Sequence, residues 1–381
     1  MLKLEALQET IEALAAHAGT LRDQQARELD TACERLTRAP DAAILREQLR
    51  GATASAPHAA MPVTDAPLDT VFTVTDAPAP GATIIGVDGS QIPPDRHAAV
   101  LYYLLQIGGL IFRYNGTAPT EHRTASLHFA YRELYDSAGQ LIGSQLGMRR
   151  NVRELEYLAE LTELAHAADT PAPCIALTDG PLLWPYSGRS EEEATALPAY
   201  FTALNRLRAA GGLPVGFVER PGGRPLLALL ELDNPPEQSA AAPPILTDHT
   251  LMARQLPPGA RSVWLKRPTP MNERHAHAGH TIWFCYLNVG TAGDPVIARV
   301  EAPAWAVAHE SWVTTLHALL LHQAHALGGN PYVLARAHEL ALVTGQDKAA
   351  LESLLLRRLL EHGVVARPSE KARQKSLLGS F

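Results

Sequence analysis

Two apolar runs in this chain stop in the same way. Residues 83–90, TIIGVDGS, climb through Ile84, Ile85 and Val87 into Asp88-Gly89, and residues 174–180, CIALTDG, pass through Ile175 and Leu177 into Asp179-Gly180. Short apolar runs of this kind, bounded by turn residues, read as strands. The second has no polar alternation, which suits a central strand covered on both faces. Two such strands side by side place Asp88 and Asp179 at one edge of a sheet, at strand ends where α/β proteins bind ligands. Asp-Gly also makes ordinary turns, and for either aspartate alone that is the stronger reading. The matched pair makes a site a real competitor.

The rest of the chain supplies helices around these strands. Leu4, Leu7, Ile11 and Leu14 recur at helical spacing, so residues 1–50 read as an N-terminal helical extension. Residues 51–82, rich in Ala, Pro, Thr and Asp, read as a linker. The stretch AAVLYYLLQIGGLIFRYNG predicts two strands around a turn at Gly108–Gly109. A helix is expected over about Arg149–Ala168, then LPAYFTALNRLRAAGG as a helix and LPVGFVER as a strand. Pro-rich loops are expected around Asn234–Pro244 and Pro268–Pro270, and late strands at HTIWFCYLNVG and PVIARVEAP. Three helical stretches close the chain: SWVTTLHALLLHQAHAL, PYVLARAHELALVTG and KAALESLLLRRLLEHG. Strands interleaved with helices indicate an α/β fold.

Two converging carboxylates with no basic partner are costly unless a cation neutralises them. Hard oxygen donors of this type suit Mg²⁺ or Mn²⁺, ions that serve phosphodiester displacement. Composition neither supports nor excludes this chemistry. A net charge of −7 argues against a globally basic nucleic-acid binder, while a local basic groove remains compatible with it. Cys33, Cys174 and Cys285 lie far apart and form no CxxC pair, so a disulfide framework and a thiolate zinc site are not indicated. No run of roughly 18 apolar residues is present to span a membrane, and the N-terminus lacks the pattern of a signal peptide. The expected location is the cytoplasm.

The Asp-Gly units carry more than their spacing. IIGVDGSQI resembles the first motif of the NurA nuclease family, ALTDGPLLWPY its second Asp-Gly motif, and MRRNVRELEYLAEL its Arg-rich helix bearing a catalytic glutamate. VGFVERP, ILTDHTLMARQLPPGARSVWL, WFCYLNVG and IARVEAPAW follow in the family's order, and NPYVLARAHELALVTGQD resembles its C-terminal motif around a histidine. The resemblance runs from about Thr83 to about Lys348, and several motifs in order are specific. It implies an RNase H-like central mixed sheet flanked by helices, with a nuclease domain over 83–348 and a C-terminal helical tail over 349–381. It also implies Mn²⁺ (or Mg²⁺)-dependent cleavage of single- and double-stranded DNA ends, as single-strand endonuclease and 5′-to-3′ exonuclease. A homodimer and a partnership with a HerA-type hexameric ATPase in double-strand-break end resection are implied as well.

Carried over residue by residue, the resemblance makes Asp88, Glu154 and Asp179 the metal ligands, with Glu156 the register alternative to Glu154, and His338 an assisting group. Arg149, Arg150, Arg153 and Arg261 are candidate DNA contacts, guanidinium forks being matched to phosphate oxygens. Each could equally serve a structural ion pair, and Arg299 and Glu301 carry the same two readings. One position departs from the family: a tyrosine expected eight residues before His338 is Asn330, with Tyr332 nearby. That departure motivates a second reading, a catalytically weak adaptor that clamps DNA and regulates a HerA-like ATPase. His275, His277 and His280 form an HxHxxH cluster, expected in an exposed loop rather than around zinc. His317, His322 and His325 are expected on a helix surface.

Overall fold

In the computed structural model the described residues are 4–52, 58–75, 77, 80–143, 145–166, 173–186, 190–232 and 246–365. The N-terminal helical stretch is two helices, α1 (Gln8–Thr37) and α2 (Ala42–Ala52). Pro40 lies between them; it has no N–H to donate and disfavours helix in the residue before it. Strands β1 (Met61–Pro62), β2 (Thr83–Ile92), β3 (Tyr103–Arg113) and β4 (Thr120–His128) follow, then α3 (Tyr131–Leu134), α4 (Leu146–His166), β5 (Cys174–Asp179), α5 (Glu191–Ala209) and β6 (Gly212–Glu219). Ser190 and Glu193 start α5 with a capping box, Ser190 Oγ accepting from the Glu193 N–H at 3.2 Å and Glu193 Oε2 accepting from the Ser190 N–H at 3.0 Å. The remaining elements are α6 (Pro225–Leu230), α7 (Asp248–Gln255), β7 (Leu265–Lys266), α8 (Pro270–His277), β8 (Ile282–Asn288), β9 (Ile297–Pro303), α9 (Ala304–Val307), α10 (Glu310–His325), α11 (Tyr332–Ala341) and α12 (Gly345–Glu361). The Pro-rich segment expected around residues 234–244 lies outside the described residues, as does the end of the C-terminal tail.

The chain forms two compact units, the first from Met1–Ala77 and Gly216–Asn330, the second from Pro78–Val215 and Pro331–Phe381. In the first, strands in the order β1-β7-β8-β9-β6 pair antiparallel throughout. Its core joins Leu36, Leu45 and Leu49 of α1 and α2 to Leu226, Leu251, Phe284 and Tyr286. The first apolar residues of the N-terminal stretch take no part: Leu4, Leu7, Ile11 and Leu14 are exposed.

The second unit holds a mixed sheet. β3 pairs antiparallel with β2 on one side and β4 on the other, while β5 runs parallel to β2, with the first half of β6 beyond it. Three antiparallel strands joined by the parallel β5 make this a mixed sheet, as expected. β5 is buried from Cys174 to Thr178, as its unbroken apolar run predicts.

The expected turn at Gly108–Gly109 is absent. β3 runs straight through both glycines, and the reversal falls at residues 114–119, leading into β4, a strand that the sequence reading did not separate. The glycines are there for clearance. A Cβ on Gly108 would lie 2.5 Å from the Ala337 carbonyl oxygen of α11, and one on Gly109 would lie 2.5 Å from Leu161 Cδ1 of α4. Successive strand residues point to opposite faces, so α11 and α4 cover opposite faces of this sheet and each needs a missing side chain to approach it.

Candidate active site

Asp88 and Asp179 sit on adjacent parallel strands. The β2–β5 ladder ends with Val87 opposite Thr178, so the two aspartates are the next step on each strand. β5 stops at Asp179, and Gly180 takes φ +100°, a turn that glycine makes without strain. β2 behaves differently from the sequence reading: it continues past Asp88 to Ile92, and Asp88 is a mid-strand residue. Gly89 therefore makes no turn. A Cβ there would lie 2.5 Å from Glu154 Oε1 and 2.9 Å from Arg150 Cγ, so the glycine is the gap that admits the Glu154 carboxylate.

Glu154 is 6% exposed in the middle of α4. Its carboxyl is raised to about 8: burial is the largest cause, Arg150 opposes it, and the carboxylates of Asp88 and Asp179 add to the rise. Arg150 Nε stands 3.0 Å from Glu154 Oε1 in an ion pair. Neither buried atom of this pair has a well-formed hydrogen bond among the described residues. Glu156, the register alternative, is turned outward and pairs with Arg153 at 3.5 Å. Two residues along a helix is a rotation of about 200°, so only one of these glutamates can face the aspartates.

His338, on α11, completes the group. Its Nδ1 lies 2.6 Å from Asp88 Oδ2, while Asp88 Oδ1 accepts from the Gly89 N–H at 2.7 Å. The imidazole is otherwise open, with 65% of its side chain exposed. Tyr186 and Asn151 stand beside the same cluster, and the sequence reading singled out neither. The Asn151 amide reaches the Tyr186 hydroxyl at 3.3 Å, and the charges of Arg150 and Glu154 act on that hydroxyl. Tyr186 lay within the quoted ALTDGPLLWPY motif, but nothing local distinguishes its ring from a packing residue.

The arginines divide. Arg149 donates to Glu192, the Tyr103 hydroxyl and the Glu133 carbonyl, and Arg153 pairs with Glu160 at 2.7 Å. Arg261 belongs to the first unit, its guanidinium 4.2 Å from the Phe72 ring and hydrogen-bonded to the Ser262 carbonyl. Only Arg150 touches the carboxylate group. Arg299 and Glu301 pair with each other at 2.8 Å in the first unit. Tyr332 packs edge-on against Phe112 with ring centroids 6.2 Å apart.

The histidine expectations need correction. His275 and His280 are fully buried, not in an exposed loop: His275 lies on α8, and His280 accepts from the Trp305 indole at 3.3 Å. Burial lowers the His275 pKa to about 4. His317 is likewise buried, with Nε2 2.9 Å from the Gly259 carbonyl oxygen, whereas His322 and His325 are exposed as expected. A charge count along the sequence cannot see this, because neutral histidine is a tolerable core residue once it has a partner.

Among the described residues no three His, Cys, Asp or Glu side chains already stand in joint ligating positions. The donor chemistry nevertheless suits a hard divalent cation: three carboxylates acting on one another, a buried Glu154 oxygen without a hydrogen-bond partner, and a glycine that keeps the space beside it clear.

A family model, the NurA domain, matches residues 82–343. The crystal structure of the NurA nuclease from Sulfolobus solfataricus is 12% identical, with 77% of this chain and 88% of that one covered and a TM-score of 0.52. A NurA crystal structure with manganese is 11% identical, covering 88% and 97% of the two chains at a TM-score of 0.44. Another, bound to dAMP and manganese, is 12% identical, covering 93% and 97% at a TM-score of 0.42. No curated protein matches the chain. The family model spans well over half of the sequence and contains every residue of the carboxylate cluster, and on that ground the chain belongs to the NurA family.

Proposed function

We propose that this protein is a Mn²⁺ (or Mg²⁺)-dependent deoxyribonuclease whose cation is held by Asp88, Glu154 and Asp179. The observation that carries the reading is the buried Glu154 carboxylate, set against two aspartates, with its Oε1 ion-paired to Arg150 but without a hydrogen bond among the described residues. The family, with relatives solved with manganese and with dAMP, supports the same chemistry. When bound, the cation supplies charge for the phosphodiester oxygens and acidifies water.

The protein's own groups do the rest. Asp88 fixes the His338 ring through Nδ1, which directs Nε2 to the substrate side, where it holds or accepts a proton. Arg150, already beside the carboxylates, is the arginine placed to meet a substrate phosphate. Arg149, Arg153 and Arg261 are held by partners within the protein, which favours the structural one of their two readings. Sequence-indifferent cleavage requires contacts to phosphate rather than to bases.

The finer reading is single-strand endonuclease and 5′-to-3′ exonuclease activity at DNA ends, in the cytoplasm, as a homodimer working with a HerA-type ATPase. No helix among the described residues is long and apolar enough to cross a membrane. Mn²⁺-dependent cleavage of a labelled single-stranded DNA, abolished in Asp88→Ala, is the expected result. Wild-type protein that never cuts, even with a HerA-type partner present, overturns the reading; partner ATPase stimulation surviving in Asp88→Ala would then favour an adaptor.

A further inference from the structure

β4 is the outer strand of the second unit's sheet, and its side chains alternate strictly. Glu121, Arg123, Ala125, Leu127 and Phe129 are exposed, while the residues between them are half-buried. The strand pairing puts Arg123 on the face of Asp88 and His338, with α11 packed over Gly108 between them and Glu154 reaching the site from the other face: Asp88 lies opposite Gly108, and Gly108 opposite Arg123. Paired residues share a face, and strands lie about 4.8 Å apart, so Arg123 is about 10 Å from Asp88 across the sheet.

The stripe ends in an aromatic group. Phe129 and Tyr131 are both 71% exposed, and Tyr131 is held in place by stacking on Tyr135, with centroids 4.5 Å apart and planes 22° apart. Leu127, 37% exposed, leads into them. Two arginines bracket the group: neither Arg123 nor Arg132 makes an ion pair among the described residues. Large aromatics this exposed lose hydrophobic stabilisation unless something covers them. Flat rings flanked by unspent guanidinium groups match a strand of unpaired bases linked by phosphates.

We propose that this stripe is a track for single-stranded nucleic acid along the sheet edge, with Phe129 and Tyr131 stacking bases and Arg123 and Arg132 meeting phosphates. The proposal rests on the nuclease reading above. At about 3.3 Å per strand residue, the run from the Asp88 row to Phe129 is about 20 Å, the span of a few nucleotides. Charge complementarity favours a polyanion as the occupant of this edge, since Glu121, the acidic residue of the stripe, is already held by Arg336.

The test is binding of a fluorescein-labelled dT strand of about twelve nucleotides in EDTA, alongside Mn²⁺-dependent hydrolysis of bis-p-nitrophenyl phosphate, an ester too small to reach the stripe. The double variant Phe129→Ala with Tyr131→Ala is expected to bind the strand about 10- to 100-fold more weakly, and Arg132→Ala to flatten the salt dependence, with ester hydrolysis unchanged. Unchanged strand affinity in the double variant overturns the proposal, as does a change confined to oligomeric state, which would make the edge a contact between copies. Failure of the wild type to hydrolyse the ester while strand binding still depends on Phe129 and Tyr131 would sink the nuclease reading and leave the track standing.

Discussion

Asp248 in the first unit and Glu154 in the second are both buried carboxyls with raised pKa values, yet their surroundings are opposite. Asp248, fully buried, accepts from the Leu226 and Leu227 N–H groups at 2.7 and 2.9 Å and from the Tyr286 hydroxyl at 2.6 Å. It caps α6 from outside, supplying the acceptors that the first turn of any helix lacks. Its burial raises the carboxyl to about 6, with these donors pulling it back down. Glu154 rises to about 8 because burial outweighs the pull of Arg150 and two carboxylates add to it, and its Oε1 has no hydrogen bond among the described residues. A buried carboxylate whose lone pairs are filled by the protein is structural. One whose lone pairs are left open, among others of like charge, is poised for something that arrives from outside.

That contrast breaks cleanly by substitution. Glu154→Gln should cut Mn²⁺-dependent DNA cleavage by about three orders of magnitude, the scale of several kcal/mol of transition-state stabilisation, while the urea midpoint at neutral pH holds or rises. Asp248→Ala should do the reverse. Three donors left unsatisfied cost about 3 kcal/mol or more, read as a lower urea midpoint at constant slope, with cleavage per folded molecule preserved. If both variants lost only stability, or both only activity, the distinction between the two carboxyls would fall.

Smaller effects sharpen it. His338→Ala should lower cleavage by about 100-fold, and a flattened limb in the pH–rate profile would tie the loss to proton handling rather than to misfolding. Gly89→Ala drives a methyl group into Glu154 Oε1, so it should impair Mn²⁺ binding by calorimetry, whereas Gly180→Ala should act on the turn and cost about 1 kcal/mol of stability. The pH effect is the mildest. In the metal-free protein Glu154 keeps its proton up to about pH 8, while in the unfolded chain it releases it near 4.5. The folded state thus binds more protons between those values, and stability falls as pH rises through that window. Glu154→Gln should flatten the slope in thermal melts at graded pH, and an unchanged slope would assign the effect elsewhere.

Much of this was legible in the order of residues. The apolar runs at 83–87 and 174–178 announced buried strands, and because both ended in Asp-Gly they marked the two aspartates before any coordinate did. Helical spacing located α4, α5 and the last three helices, whose apolar positions recur every three or four residues. The choice of Glu154 over Glu156 leaned on a motif, and the helix then turned one glutamate toward the aspartates and the other toward Arg153. Where the reading went astray, the residue types were compatible with two local structures. Gly108–Gly109 suits a hairpin turn as well as a place where helices press on a sheet, and only the positions of α4 and α11 separate the two. His275 and His280 look like loop residues until the fold encloses them.

What the sequence determined by itself was therefore periodic or local: which segments are strands and helices, and which acidic residues end up at β2 and β5. What only the tertiary structure decided was contact between distant segments. It made Gly89 a gap for a side chain 65 residues away in the chain, joined His338 to Asp88 across 250 residues, and left Glu154 Oε1 without a hydrogen bond among the described residues while giving Asp248 three donors. Those outcomes depend on which atoms meet after the chain has packed, and neither propensity nor spacing carries that information.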